Sequence, residues 1–192
     1  NTTPLSAKMH YNGVLTNTWE VSRKDQTKLD LCNSIKDDFG NESYLSNIQG
    51  HNSRATISRL RTSSHLLHIE TGRYSHLSRE KRLCKWCQEN AEPDSVESEQ
   101  HFLLQCSSNS STREMLKTLI SDNCILSFST QTLLRDVYTT DNKLSNTTAR
   151  LISKIYKIRC EYDKTSTRNT VITNVVKTNT GVADPIAITT TT

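Results

Sequence analysis

Apolar residues recur at helical spacing through the middle of this chain, and the places where the recurrence stops mark its elements. From Thr27 to Phe39 the stripe is Leu29, Cys32, Ile35 and Phe39, with Gly40 where a helix would end in a left-handed cap. An amphipathic helix is predicted there, with Cys32 on its buried side. Tyr44, Leu45 and Ile48 predict a second short helix closed by Gly50. The run from Asn52 to about Thr71 reads as one helix, capped by Asn52 or Ser53 and terminated by Gly72. Ile57, Leu60 and Leu67 lie on its core face, and Arg54, Arg61, His65 and His68 follow one another on a second face. Farther on, Met115, Leu116, Leu119 and Ile120 predict a short helix, and Leu133, Leu134, Val137 and Tyr138 another that starts near Ser129 or Thr130. A longer helix is expected from about Asp141 to Lys164, with Leu144, Leu151, Ile155, Ile158 and Tyr162 in its stripe.

The ends break this pattern. Residues 1–16 are polar and aperiodic, with Pro4 and Gly13, and read as a disordered segment or linker. Residues 166–192 are rich in Thr and Asn and read as a disordered tail. Between them, 17–165 should form a mainly α, small helical domain, with Trp19 as a core anchor and Cys124 and Cys160 as buried thiols.

Composition narrows the class of protein. With 33% hydrophobic and 6% aromatic residues over 192 positions, the chain has material for one domain plus tails. No apolar run is long enough to cross a membrane. The six cysteines, with no secretory signal in view, point to an intracellular setting, nuclear or cytoplasmic. The formal charge of +4 says little as a total. Its distribution says more: from Arg54 to Lys85 there are eight Lys or Arg against only Glu70 and Glu80. Such a concentration suits phosphates, whose counterions are released as Lys and Arg neutralise them. The following loop, from Gln88 to Gln100, carries Glu89, Glu92, Asp94, Glu97 and Glu99 and no cation, so a nucleic acid is expected from the Arg54 to Lys85 side.

The sharpest chemical signal is Cys84-x2-Cys87-x13-His101-x4-Cys106. Two residues between the first thiols let a tight turn aim both inward, and the loop returns an imidazole and a third thiolate, which suits tetrahedral Zn²⁺. With all four positions filled by protein, the metal has no open site for a substrate or water, so its role is structural. A helix beginning at Ser95 or Val96 is expected to project His101 toward the metal. A disulfide framework is the competing reading of the cysteines, and the spacing favours zinc. Lys85 and Trp86 sit at the tip of the metal-closed turn, where the indole is placed either to stack on an unpaired base or to cover the metal.

Leu60-Arg61-Thr62-Ser63-Ser64-His65, Ile69-Glu70-Thr71-Gly72-Arg73-Tyr74, Arg82-Leu83-Cys84, Cys87 and His101-Phe102-Leu103-Leu104-Gln105-Cys106 occur in that order. With the upstream stretch from Lys28-Leu29 to Tyr44-Leu45, they make residues 17–165 resemble the carboxy-terminal Cys-Cys-His-Cys segment of LINE-type, non-LTR retrotransposon reverse transcriptases. The Tyr-x-Asp-Asp motif that holds catalytic Mg²⁺ in that family is absent from this sequence, as is anything like its endonuclease. The resemblance therefore implies an accessory, non-enzymatic fragment that helps a reverse transcriptase hold template RNA or target DNA, with the parent's polymerase domain as a partner. In that role Arg54, Arg61, Arg73, Arg79, Lys81, Arg82 and Lys85 would meet phosphates, and Tyr74 or Trp86 would stack. The alternative is a structural or protein-interaction domain, a decayed relic whose zinc only holds a helical fold together.

Overall fold

The computed structural model describes the backbone of residues 4–24, 26–36, 38–123 and 127–179. The described residues are mainly helical and contain one isolated antiparallel bridge, Leu83 with Val96. The helices are α1 (Pro4–Lys24), α2 (Asp30–Ile35), α3 (Ser43–Asn47), α4 (His51–Arg61), α5 (His68–Tyr74), α6 (Lys85–Glu89), α7 (Ser110–Asp122), α8 (Thr130–Leu134) and α9 (Asn142–Asn179). A π-helix, His101–Gln105, stands between α6 and α7. The chain divides into two units, Asn1–Tyr156 and Lys157–Thr192, so α9 belongs to the first as far as Tyr156.

In the first unit the core gathers Ile48, Ile57 and Leu60 with Leu133, Leu134, Val137 and Tyr138, and Phe102 and Leu103 with Ile152 and Tyr156, all buried. Aromatic edges organise it: Tyr44 meets Tyr138 with ring centroids 6.3 Å apart, and Phe102 meets Tyr156 at 6.3 Å. Asparagines join the segments that these rings bring together. Asn47 donates to the Tyr138 carbonyl at 2.7 Å, Asn146 donates to the Asn47 carbonyl at 2.9 Å, and the Gln49 amide donates to Asn146 at 2.9 Å. Helix starts follow local chemistry. Ser129 caps α8 by accepting from the Thr132 amide, and Asp141 accepts the Lys143 and Leu144 amides at the start of α9.

The predicted helix from 52 to 71 is two helices, α4 and α5. Its break is a Schellman cap: the Ser64 amide bonds back to the Arg59 carbonyl at 2.9 Å, the Ser63 amide reaches that of Leu60 at 3.4 Å, and Ser63 takes φ 49°. Serine replaces the usual glycine at this left-handed position, and its hydroxyl is anchored on Glu99 at 3.1 Å. Gly72 lies inside α5 and serves a different purpose. A Cβ there would come within 2.7 Å of Cγ of Arg82, so the glycine opens a track for that side chain.

The helix predicted from 27 to 39 is also shorter. A 3₁₀ turn, Thr27–Leu29, leads into α2, which stops at Ile35 because Lys36 is extended. Phe39 stands outside the helix with its ring centroid 5.8 Å from that of Trp19, and the Arg23 guanidinium lies over the Trp19 ring, 4.2 Å from its centroid. Arg23 also donates to the Lys36 carbonyl. Trp19 therefore docks the end of α1 on the α2 region. Residues 1–16 are expected from the sequence as a disordered segment or linker, whereas the backbone is helical from Pro4 and carries the exposed Met9, Tyr11 and Val14. Cys124 and residues 180–192 lie outside the described residues, and Cys160 is half-buried.

Candidate metal centre

Cys84, Cys87, His101 and Cys106 converge as the four sequence-predicted ligands, all buried, with one ligand atom from each within 4.8 Å of every other. Cys84 Sγ lies 3.9 Å from Cys106 Sγ, Cys87 Sγ lies 4.0 Å from Cys106 Sγ, and His101 Nε2 lies 3.4 Å from Cys87 Sγ. His101 Nδ1 is buried without a hydrogen-bond partner among the described residues. The cluster can hold a metal ion.

Local structure explains the convergence. Cys84 caps α6 and Cys87 lies on its first turn, so the i, i+3 spacing puts both thiols on one side. The π-helix does the equivalent for the other pair. In an α-helix, residues five apart point about 140° away from each other. The wider turn, closed by the Cys106 amide on the His101 carbonyl at 2.8 Å, brings Cys106 back beneath His101. The two halves are held together by the backbone. The Cys84 amide donates to the Ser95 carbonyl at 2.8 Å and the Glu97 amide to that of Arg82 at 2.9 Å, so Ser95 and Val96 pair as an extended edge where a helix start was expected.

The thiols are not equivalent. The hydrogen bond to Cys106, followed by burial, pushes the Cys84 thiol up, while Cys106, receiving that bond, is held down at about 3. Burial, ahead of the charge on Cys106, pushes Cys87 up to about 12. Of the three, Cys106 is the thiol whose ionisation its neighbours favour.

Trp86 packs against the three cysteines and donates its Nε1 hydrogen to Ser107 at 3.2 Å. The indole thus covers one side of the cluster and remains half-buried. Ser107 in turn donates to Glu92, and Arg113 reaches the Cys106 carbonyl.

Several groups around the centre carry no local sequence signature. Glu97 is 1% exposed; it accepts the His68 amide at 2.6 Å, and its other oxygen is 3.9 Å from Cys84 Sγ. Glu99 is buried and receives both Ser63 and, at 2.8 Å, His65 Nε2. Burial opposes ionisation of Glu99, but the His65 hydrogen bond and charge outweigh it and keep the carboxyl below its usual range. These two acids therefore brace the fold from within. His65 and His68 are likewise absent from the metal cluster, and His68 Nδ1 is hydrogen-bonded to the Leu83 carbonyl at 2.8 Å.

The basic residues part company. Arg61 is only 3% exposed: it pairs with Glu42 at 2.6 Å, donates to the Leu134 carbonyl, and sits 4.9 Å above the Tyr44 ring. Arg82 donates to the carbonyls of Leu77 and Ile69. Arg54 donates to that of Ile48 at 3.0 Å. All three guanidiniums fasten segments together; Arg61, being buried, is a correction to its expected place on a phosphate-binding face, while Arg54 and Arg82 are half-buried. Lys85 is half-buried at the start of α6. Arg73, paired with Glu70 at 3.2 Å, keeps 38% of its side chain exposed, Arg79 and Lys81 are exposed, and Tyr74 is 80% exposed. No helix of the described residues is long and apolar enough to cross a membrane.

No protein family, curated protein or solved structure matches the chain.

Proposed function

We propose that this chain is a zinc-stabilised nucleic-acid-binding module, in which Cys84, Cys87, His101 and Cys106 hold a structural Zn²⁺ and the exposed segment leading into Cys84 meets the nucleic acid. The observation that carries the reading is the buried Cys3His set, preceded directly in the chain by a segment that exposes Tyr74, Arg79 and Lys81 and part of Arg73. Bonds of about 2.3 Å to sulfur and 2.0 Å to nitrogen at tetrahedral angles require ligand edges of roughly 3.5–3.8 Å. The 3.4, 3.9 and 4.0 Å separations fall close to that tetrahedron. Three thiolates and an imidazole suit Zn²⁺ over harder cations. An exposed ring flanked by cations provides the stacking and charge that single strands accept without regard to sequence. By its resemblance to the reverse transcriptase segment, the module would hold template RNA or target DNA for a polymerase domain elsewhere in a longer protein.

The competing reading, a structural or protein-interaction domain, is favoured by a different observation: Met9, Tyr11, Val14 and Val21 of α1 are all exposed. Salt separates the two. The full chain is titrated with labelled single-stranded RNA and a matched DNA duplex across a salt series, with and without a zinc chelator. Binding whose logarithm falls linearly with log salt, by about 0.7 per single-strand phosphate neutralised, and which weakens in Arg79→Glu/Lys81→Glu and in Tyr74→Ala, supports the module. Absence of binding at low salt by folded, zinc-loaded protein refutes it in favour of the interaction domain.

A further inference from the structure

A cleft of about 530 Å³ opens in the first unit between the α2 region, α5, the segment before the π-helix and the start of α8. Its volume is that of a small-molecule site. The lining is graded in a way that selects a ligand. Arg79 at the rim is exposed and Lys28 is partly so, whereas Glu70 and Glu99 are 7% and 9% exposed and Ile69 is 3% exposed. Arg79, Lys28 and the exposed carboxylate of Asp30 therefore stand outside, and Glu70 and Glu99 with an apolar wall stand inside. The Thr130 hydroxyl, also in the lining, is buried with no hydrogen-bond partner among the described residues.

We infer that this cleft takes one unpaired nucleobase, guanine above the others, with its phosphate at Arg79 and Lys28. A carboxylate is an acceptor with about four lone-pair sites, so Glu70, which gives one oxygen to Arg73 at 3.2 Å, retains capacity for further donors. Guanine presents adjacent N–H donors on its Watson–Crick edge, cytosine and adenine an amino group each, and uracil a single imino N–H between two carbonyls. Carbonyl oxygens brought against buried carboxylates would be left without donors, and that rejects uracil most strongly. The flat base packs on Ile69, and Arg79 belongs to both the cleft rim and the exposed segment that also carries Tyr74, so a strand held on that segment can deliver a base without leaving its phosphate contacts.

This inference rests on the nucleic-acid reading but is tested apart from it. Zinc-loaded full chain is titrated with the 5′-monophosphates of guanosine and uridine and with guanosine itself, followed by protein-detected NMR, and the variant Gln131→Trp is used to fill the cleft from its exposed α8 rim. The expected result is guanosine monophosphate bound about tenfold more tightly than uridine monophosphate, weaker binding of the nucleoside, and loss of both base preference and binding in Gln131→Trp while zinc content and salt-dependent RNA binding persist. Equal affinity for the two monophosphates, or binding unchanged in the filled variant, overturns the cleft assignment and leaves the surface reading standing. Failure of RNA binding alone removes the surface reading, and a guanine preference abolished by Gln131→Trp would still establish the cleft.

Discussion

Replacing Arg61 by Met separates a fold-holding arginine from a phosphate-binding one. The substitution keeps most of the hydrocarbon stem and removes the guanidinium, which pairs with Glu42 at 2.6 Å, donates to the Leu134 carbonyl and lies 4.9 Å over the Tyr44 ring. Removing one partner of a buried charged pair costs about 3–5 kcal/mol, and a cation over a ring adds about 0.5–1 kcal/mol. Two facts reduce the sum: the Glu42 side chain is 22% exposed and regains water, and methionine restores some packing. A loss of about 3–4 kcal/mol is expected, a large share of the stability of an ordinary domain. With a urea slope of about 2 kcal/mol per molar, the midpoint should fall by roughly 1.5–2 M, measured on zinc-loaded protein by far-ultraviolet circular dichroism. Arg79→Met, at an exposed position, should stay within about 0.5 kcal/mol of the parent. A stable Arg61→Met protein that has lost RNA binding would refute the reasoning and return Arg61 to the binding face.

Cys87→Ser and His101→Ala should each abolish stoichiometric zinc, measured by elemental analysis, and loosen residues 84–106 in hydrogen exchange, because the metal closes that loop; full zinc in both variants would overturn the ligand assignment. Since Cys106 is held down at about 3 while Cys84 and Cys87 are pushed up, near neutral pH zinc should displace about two protons from the cluster, read by calorimetry in buffers of different ionisation enthalpy. The sign follows: acid returns protons to the ligands and expels metal, and apparent affinity should rise about a hundredfold per pH unit through neutrality, below the raised thiol values. Gly72→Ala should destabilise by about 1–3 kcal/mol in thermal melts, because the new Cβ would stand 2.7 Å from Arg82 Cγ and the Arg82 guanidinium is tied to two carbonyls; an unchanged melting temperature would show that Arg82 has room to move.

What the sequence determined by itself is what short-range geometry controls. The stripes placed α3, α7, α8 and the start of α9 within a few residues, since apolar spacing and the caps at Ser129 and Asp141 act inside one turn. The four ligands were legible for the same reason: two thiols on one turn and a His-x4-Cys pair carry their relation in their spacing. The break between α4 and α5 was hidden because serine holds a left-handed position where glycine would have announced it, and its anchor, Glu99, lies 36 residues away. Only the tertiary structure decided which charges are buried. Arg61 meets a carbonyl 73 residues distant, and His65 meets a carboxylate 34 residues distant, so nothing beside them in the chain distinguishes them from Arg79 or Lys81. A charged side chain leaves water only where partners compensate its lost hydration, and those partners are assembled by folding.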